Sequence, residues 1–281
     1  MKILQYLAVS LLTVCTSTGT AAESTADLLD RALAGDHRST DNRARDQYRH
    51  PKETLQFFGL EPDMTVVEIT PGGGWYTEVL APVLKERGRL IVAGFGSDHP
   101  VEYLANIHVR YIEKLDADPG TYGEVRRIVF QAPGYLQELE DESADMMLTF
   151  RNTHNWIKFG TAEDIYRDMY RVLKSCGTLG VVQHRAEADA DPGTAAKQGY
   201  VPEPYLIDMI ESIGFRLIDR SEINANPHDT KDHPEGVWTL PPTYRMGDQD
   251  REQYAAIGES DRMTLRFAKP MHLADGNCPA Q

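Results

Sequence analysis

Strand-like and helix-like patterns of apolar residues alternate along most of the chain. The short apolar run at 65–69 has the length and β-branched content of a buried strand, and residues 76–84 place apolar side chains at the spacing of an amphipathic helix. Because this order repeats, we predict a doubly wound α/β fold with a mostly parallel sheet and helices on both faces. Further strands are predicted at 90–93, 125–130, 144–150, 179–182, 215–218 and 263–267, and further helices at 51–58, 104–115, 162–173 and 203–213.

Residues 1–22 have the pattern of a secretory signal peptide. A basic start is followed by apolar residues 3–14 and small residues 16–22, and the apolar run is too short to span a bilayer. Lipid attachment at Cys15 is an alternative that Val14 disfavours, because lipid-modified cysteines normally follow a small residue. We therefore expect a periplasmic or secreted protein with no integral membrane segment after cleavage.

The mature chain is predicted to form one domain with an arm and a tail. Residues 23–50 are polar and charge-dense, whereas 51–270 carry the regular alternation of strands and helices. The irregular stretch at 224–259 is long for a loop in a compact domain, so we predict a lid or substrate wall there. Residues 271–281 form the tail. The end of the arm, 43–50, is basic in an otherwise acidic chain and either covers the mouth of the site or is solvated.

The net negative charge of the chain limits the kinds of partner that it is expected to bind. The chain has 43 acidic and 29 basic side chains among 281 residues, which gives a formal charge of −14. Nucleic acid is not expected as a partner because phosphate binding requires a basic surface, and an anionic membrane surface is disfavoured for the same reason.

The turn after the first predicted strand is rich in glycine. Gly72, Gly73 and Gly74 lie at the edge where parallel sheets bind ligands, and they let a ligand approach the backbone amides and a helix N-terminus. An ordinary tight turn is the alternative. Thr77 stands where a dinucleotide fingerprint has its last glycine, so a nicotinamide or flavin dehydrogenase is disfavoured. The chain also lacks the Gly-Lys-Ser/Thr loop of nucleotide hydrolases.

Three parts of the chain resemble the class I S-adenosylmethionine-dependent methyltransferases. They are 66–74 with the glycine turn, 145–150 on the fourth strand, and 170–174 with 177–179 on the helix and strand that follow. The resemblance covers 47–270 and is strongest to a group of exported bacterial proteins described as predicted methyltransferases. It implies a Rossmann-like, seven-stranded sheet with an antiparallel last strand, and S-adenosylmethionine as the cofactor.

The resemblance also implies which residues contact the cofactor. Glu68, Gly72 and Gly74 would lie against the methionine and ribose parts of S-adenosylmethionine. Two departures from the family are Thr70, which replaces its first glycine, and Gly94, which replaces the acid that usually binds the ribose hydroxyls. Asp98 follows in the loop and is a candidate to replace that acid. The cofactor-binding residues expected around the turn are Glu68, Thr70, Gly72, Gly73, Gly74 and Asp98.

The loop after the fourth strand is expected to face the reactive end of the cofactor. Methyl transfer is a displacement at carbon, so the protein holds the nucleophile in line and removes a proton where the substrate requires it. His154 is the candidate general base because histidine titrates near neutral pH. Asn152 and Asn155 are expected to orient the substrate or cofactor, and Arg151 and Trp156 are candidate substrate-binding residues. The alternative is a polar loop with a hydrogen-bonded histidine and a packed tryptophan.

Further candidates lie at the end of the fifth strand and in the insertion. His184 and Arg185 point to the same edge of the sheet, where Arg185 either pairs with a carboxylate of substrate or cofactor or forms an ordinary surface ion pair. Asp229 lies close in sequence to His228 and His233. No two histidines have the i, i+4 helical spacing of a zinc enzyme, so we expect no metal.

Export leaves two cysteines, Cys176 and Cys278, which can pair in an oxidising compartment. In the fold implied by the resemblance, the last strand runs antiparallel beside the fifth. Cys278 follows the exit of one strand near the point where Cys176 precedes the entrance of the other. We therefore predict a disulfide between them that contributes ~2 to 4 kcal/mol to stability.

These features predict S-adenosylmethionine-dependent methyl transfer to an unidentified small molecule or protein side chain in the cell envelope. A non-catalytic ligand-binding protein that reuses the fold is the alternative, and Thr70 and Gly94 are consistent with it. A metal-assisted hydrolase on the same sheet rests only on the number of histidines.

Overall fold

The computed structural model describes residues 23–271 and Cys278. The predicted signal peptide at 1–22, which includes Cys15, lies outside the described residues, as does most of the predicted tail at 271–281. Among the helices of the described part, none combines the length and the apolar content needed to cross a membrane.

A single mixed sheet forms the centre of the described chain. Its strands are β1 (Thr65–Ile69), β2 (Arg89–Gly94), β3 (Arg126–Val129), β4 (Ala144–Phe150), β5 (Leu173–His184), β6 (Arg216–Ser221) and β7 (Arg262–Ala268). They are arranged in the order β3-β2-β1-β4-β5-β7-β6, and β7 runs antiparallel to both of its neighbours. The predicted seven-stranded, doubly wound sheet with an antiparallel last strand is therefore confirmed.

Helices cover the sheet and the connections between strands. They are α1 (Thr25–Ala34), α2 (Thr40–Arg43), α3 (Asp46–Arg49), α4 (Pro51–Phe57), α5 (Thr77–Leu84), α6 (Glu102–Ala117), α7 (Pro119–Tyr122), α8 (Thr153–Phe159), α9 (Ala162–Val172), α10 (Pro192–Lys197), α11 (Glu203–Ile213) and α12 (Arg251–Ile257), with a short 3-10 helix at Gly236–Thr239. The helices predicted from apolar spacing correspond to α4, α5, α6, α9 and α11.

The core lies on both faces of the central strands. Val67 of β1 packs in the cluster that contains Tyr166 of α9, whereas the neighbouring Val66 packs in the cluster that contains Leu80 of α5. Successive residues of β1 therefore point to opposite layers, and both are fully buried, as expected for a parallel strand with helices on each side. β5 begins at Leu173, earlier than predicted, because Leu173 already pairs with Ala144 of β4.

The predicted arm at 23–50 is part of the fold. Leu29 of α1 is fully buried in the cluster that α5 also lines. Arg38 donates two hydrogen bonds to the carboxylate of Asp46 over 2.7 and 2.8 Å, and its Nε lies 3.5 Å from the carboxylate of Glu78 on α5. The alternative of a solvated arm is therefore wrong.

The predicted disulfide between Cys176 and Cys278 is confirmed, with a Cα–Cα distance of 5.4 Å. β5 and β7 lie side by side, with Thr178 opposite Ala268. The amide of Cys176 also donates a hydrogen bond to the carbonyl of Lys269 over 2.8 Å. The disulfide therefore joins the tail to β5 itself, because Cys176 lies within this strand and not before it as predicted.

Candidate functional site

The strand order reverses between β1 and β4, which makes the carboxyl ends of these strands the expected ligand site. Asn152, just after β4, joins the two ends. Its Nδ2 donates to the carbonyl of Ile69 over 3.1 Å and to Oγ1 of Thr149 over 3.2 Å. Asn152 therefore holds the two loops together, and its role in orienting substrate or cofactor stays a prediction.

The glycine turn has a strained backbone. Thr70, Gly72 and Gly74 have φ angles of 46°, 60° and 77°, in the left-handed region that favours glycine. A β-branched residue rarely adopts such an angle, at a cost on the order of 1 to 3 kcal/mol. Thr70 therefore adopts a left-handed backbone conformation of the kind that glycine favours. Its Oγ1 is buried and has no hydrogen-bond partner among the described residues.

Space is available beside the turn. A Cβ atom built on Gly72 or Gly73 meets no atom within 4 Å, whereas one on Gly74 would lie 2.6 Å from the ring of Tyr111. A cavity of about 350 Å³ borders the turn, in the lower range of small-molecule sites. Its lining residues are Gly72, Gly73, Ile107, Arg110 and Tyr111. Gly72 and Gly73 therefore border an open cradle that α6 lines on its other side, and Gly74 packs against Tyr111 of the same helix.

Glu68 lies beneath the turn and is buried. Its carboxylate accepts a hydrogen bond from Oγ1 of Thr77 over 2.6 Å, and that hydroxyl lies 3.0 Å from the hydroxyl of Tyr111. Burial raises the pKa of Glu68 to about 7, although the hydrogen bond from Thr77 opposes the change. Glu68 therefore carries a partial negative charge near neutral pH, next to the cradle.

The end of β2 has no acidic side chain of its own, because Gly94 occupies it. Asp98 is exposed, and its Oδ1 lies 2.5 Å from the position that a Cβ on Gly96 would take. The carboxylate thus folds back over the loop that leaves β2. The role of Asp98 in binding ribose hydroxyls stays a prediction.

Two histidines meet at the ends of β4 and β5. The rings of His154 and His184 have centroids 5.8 Å apart, and Trp238 of the insertion lies 5.8 Å from His154. Nδ1 of His184 shares a hydrogen bond with the hydroxyl of Ser260. The predicted lid at 224–259 therefore contributes an aromatic wall beside His154.

Both histidines are neutral at pH 7. Burial lowers the pKa of His154 to about 4, against an opposing hydrogen bond from Gln183. Burial also lowers the pKa of His184, and the nearby charge of Arg262 adds to this effect. The general-base role of His154 stays a prediction, with a low basicity imposed by its surroundings.

Arg151 lies at the centre of the charged groups around the site. Its φ is 64°, another strained angle, and its guanidinium has no hydrogen-bond or ion-pair partner within 23–271. Burial and then the charge of Arg262 lower the pKa of Arg151 to about 10. Tyr76 stacks on Phe150 with ring centroids 3.5 Å apart, beside this group. Arg151, which was predicted to bind substrate, thus places a cation at the sheet edge, and this cation has no ion-pair partner within the described residues.

Two predicted substrate-binding residues have other roles. Trp156 is buried in the core, where its ring packs edge-on against Tyr166, so it does not line the site. Arg185 pairs with Glu222, Asp261 and Glu203 over 2.6, 3.0 and 3.2 Å. The hydrogen bonds from Arg185 to these carboxylates leave no donor for a substrate, and they raise its pKa. We therefore leave Trp156 and Arg185 out of the site. Asn155 is half-buried on α8, and its role stays a prediction.

The two histidines of the insertion, His228 and His233, have different surroundings. Asp229 accepts a hydrogen bond from Nε2 of His233 over 2.8 Å and another from the hydroxyl of Tyr200 over 3.1 Å. His228 is exposed. Across the described ranges, no group of three or more histidine, cysteine, aspartate or glutamate side chains is placed to hold a metal ion.

Several site residues were not singled out in the sequence. They come from the end of the arm, the helix after the glycine turn, β5, and the return from the insertion: Arg49, Tyr76, Gln183, Glu259, Ser260 and Arg262. The excess of arginine in the arm of an acidic chain was the available signal for Arg49. Nothing in the local pattern indicated that Glu259 and Arg262 would lie against it.

Solved structures share this fold at low sequence identity. A SAM-dependent methyltransferase from Aquifex aeolicus has a TM-score of 0.54 and 16% identity, over 80% of this chain and 93% of that chain. Geranyl diphosphate methyltransferase in complex with SAM has a TM-score of 0.50 and 12% identity, over 85% and 94%. The [4+2]-cyclase SpnF has a TM-score of 0.51 and 16% identity, over 90% and 98%. No family model and no curated protein matches the sequence. The chain therefore has the class I methyltransferase fold.

Proposed function

We propose that this protein binds S-adenosylmethionine at the glycine turn and transfers its methyl group to a substrate in the cell envelope. The observation that carries the proposal is the strained turn from Thr70 to Gly74, which lies at the switch point and borders an open cavity. Strained backbone of this kind clusters at active sites and ligand-binding sites. When bound, S-adenosylmethionine supplies a methyl group that a nucleophile can displace directly.

The turn and its neighbours fit the donor. Gly72 and Gly73 leave room for a nucleoside against the backbone, and the unpartnered hydroxyl of Thr70 offers a polar contact. Asp98, in the loop after β2, is proposed to bind the ribose hydroxyls in place of the acid that Gly94 replaces. Glu68 supplies negative charge near the cationic part of the donor.

The histidine pair is proposed to face the acceptor. His154 and His184 are buried, and Trp238 lies against His154, so this part of the site is shielded from water. In the neutral state that burial imposes, His154 either donates a hydrogen bond to the acceptor or accepts its proton. His154→Gln keeps a donor at the same place but removes the base. S-adenosylhomocysteine formation over a panel of nucleophiles separates the two roles, because only a donor role survives in His154→Gln while His154→Ala loses both.

We also propose that the protein acts in an oxidising compartment. The Cys176–Cys278 disulfide supports this location, since disulfides persist in exported proteins and are rare in the cytosol. Fractionation of cells that express the full chain tests the proposal. Recovery of the protein in the cytosol with both thiols free would contradict it.

Calorimetric titration with S-adenosylmethionine tests the central proposal. Gly73→Val adds a side chain in open space on a backbone that valine can adopt, so the variant should fold normally and lose nucleoside affinity about tenfold or more. Gly193→Val is the matched control, because Gly193 is also exposed and its nearest neighbour lies 3.7 Å from a built Cβ. No binding at millimolar ligand, or equal affinity in both variants, would contradict the proposed site.

A ligand-binding role without methyl transfer is the second candidate. The absence of an acid at Gly94 favours it, and the [4+2]-cyclase SpnF has the same fold. Binding of S-adenosylmethionine without S-adenosylhomocysteine formation over a broad acceptor panel would favour this candidate. Turnover with any acceptor would exclude it.

A further inference from the structure

Four arginines surround one carboxylate at the carboxyl end of the sheet. Arg45 and Arg49 bond Glu259 over 2.6 and 3.2 Å, and Arg262 pairs with the same carboxylate. Burial and then the charge of Arg151 lower the pKa of Arg49, so the fourth arginine lies close by. Within the described ranges, Glu259 is the only carboxylate that forms an ion pair with any of them. The cluster thus sets four positive charges against one negative charge, in a chain with a formal charge of −14.

Two arginines of the cluster are buried and have unused hydrogen-bond donors, whereas Arg151 is half-buried. The side chains of Arg49 and Arg262 are each 3% exposed. Nη1 of Arg49 and Nε of Arg262 are buried without a partner among the described residues, and Arg151 has no partner there either. Buried donors that lack an acceptor cost free energy, and so do like charges held together. An arrangement of this kind is stabilised when an anion completes it.

The cluster borders the site already described. Arg151 follows β4, and Arg262 begins β7 directly opposite His184 of β5. Arg49 lies against the glycine turn, where its guanidinium sits 4.7 Å from the ring centre of Trp75 and its carbonyl accepts a hydrogen bond from Tyr76. An anion bound by these arginines would lie between the turn and the histidine pair.

We propose that Arg49, Arg151 and Arg262 form a subsite for a carboxylate group of a ligand. Guanidinium groups match a carboxylate with paired, parallel hydrogen bonds, which a buried anion requires. The proposal rests on the proposed function, because the ligand is either the methyl donor or the methyl acceptor. The carboxylate therefore comes from the amino-acid end of S-adenosylmethionine or from the acceptor.

The first experiment tests the donor as the source. Calorimetry on the mature protein compares S-adenosylmethionine with its decarboxylated analogue, which lacks only the carboxylate. If the donor supplies it, the wild type should prefer S-adenosylmethionine about tenfold or more. Arg49→Met and Arg151→Met should lose this preference. Arg167→Met, at an exposed arginine paired with Glu163 on α9, should keep it.

The second experiment tests the acceptor as the source. Acetate, benzoate and succinate are titrated at ionic strength matched with sodium chloride, with and without saturating S-adenosylhomocysteine. If the acceptor supplies the carboxylate, these anions should raise the thermal midpoint of the wild type and of Arg167→Met. They should not raise the midpoint of Arg49→Met or Arg151→Met. Arg49→Lys and Arg151→Lys keep the positive charge but lack the planar guanidinium group that forms paired hydrogen bonds. These lysine variants are used in place of the methionine variants if the latter fail to fold.

The outcomes separate this proposal from the proposed function. Equal affinity for both nucleosides, together with no stabilisation by carboxylates, overturns the subsite while methyl transfer stands. Stabilisation by carboxylates that requires Arg49 and Arg151, with no binding of either nucleoside, supports the subsite and contradicts the methyl donor. A preference for the carboxylate that survives in both arginine variants also overturns the subsite.

Discussion

Gln183 donates a hydrogen bond from Nε2 to Nδ1 of His154 over 3.2 Å. The same Nε2 lies 3.1 Å from the carbonyl of Gly199, which identifies it as the amide nitrogen rather than the oxygen. Nδ1 of His154 is therefore an acceptor, and the neutral ring carries its proton on Nε2. This tautomer favours hydrogen-bond donation from His154 to a ligand over proton removal at Nε2.

The buried neutral state of His154 predicts a pH dependence of stability. The unfolded histidine binds a proton below about pH 6.5, whereas the folded one does so only near its pKa of about 4. The unfolded state therefore binds more protons between these values, and the free energy of unfolding falls as the pH is lowered through this window. His154→Gln should remove a loss on the order of 2 to 3 kcal/mol between pH 7 and pH 4.

Urea unfolding of the wild type and His154→Gln at several pH values checks this prediction. Other groups titrate in both proteins, so the difference between their pH profiles isolates His154. Parallel profiles would show that folding does not lower the pKa of His154.

The raised pKa of Glu68 predicts a pH dependence of stability with the opposite sign to that of His154. Burial raises its pKa from 4.5 to about 7, so the folded state binds more protons than the unfolded state between these values. Its contribution to stability is present below about pH 4.5 and is lost as the pH rises through about 7. Glu68→Gln keeps an acceptor for Thr77 and removes the charge. It should raise the free energy of unfolding at pH 8 on the order of 2 to 3 kcal/mol and change it little at pH 5.

The control for this prediction is Glu86→Gln, because Glu86 is exposed. Denaturant titrations at pH 5 and pH 8 should show a gain only for Glu68→Gln. A loss of stability at pH 8 would mean that the Glu68 carboxylate is stabilised by its surroundings. Calorimetry with S-adenosylmethionine on the same variant should show weaker binding if the charge also contacts the donor.

Removal of Arg185 is expected to lower the stability of the protein without weakening S-adenosylmethionine binding. Its guanidinium holds Asp261, Glu203 and Glu222 together, and its removal leaves these carboxylates to repel one another. Arg185→Met should lower the free energy of unfolding by about 1 to 3 kcal/mol, the range for a partly buried network. Its affinity for S-adenosylmethionine should equal that of the wild type. A tenfold loss of affinity would return Arg185 to the site.

The pattern of apolar residues was sufficient to predict the strands, five of the twelve helices in the described chain, and the edge at which a ligand is expected. Strand and helix periodicities are local, and parallel strands bring the loops that follow them to one edge whatever their sequences. The glycine turn and the loop after β4 were therefore identified correctly as neighbours. The Cys176–Cys278 pairing was predicted from the direction of the last strand that the family resemblance implies, and the apolar pattern alone does not give that direction.

Only the tertiary structure decided which side chains at that edge remain available. Trp156 packs in the core and Arg185 is held by three carboxylates, although each follows a strand that ends at the site. Arg49 and Glu259 meet across 210 positions of sequence, and a periodic pattern carries no information about such a distant partner. A local pattern determines the face on which a side chain lies, whereas its charge state, tautomer and partners depend on segments that folding brings from elsewhere.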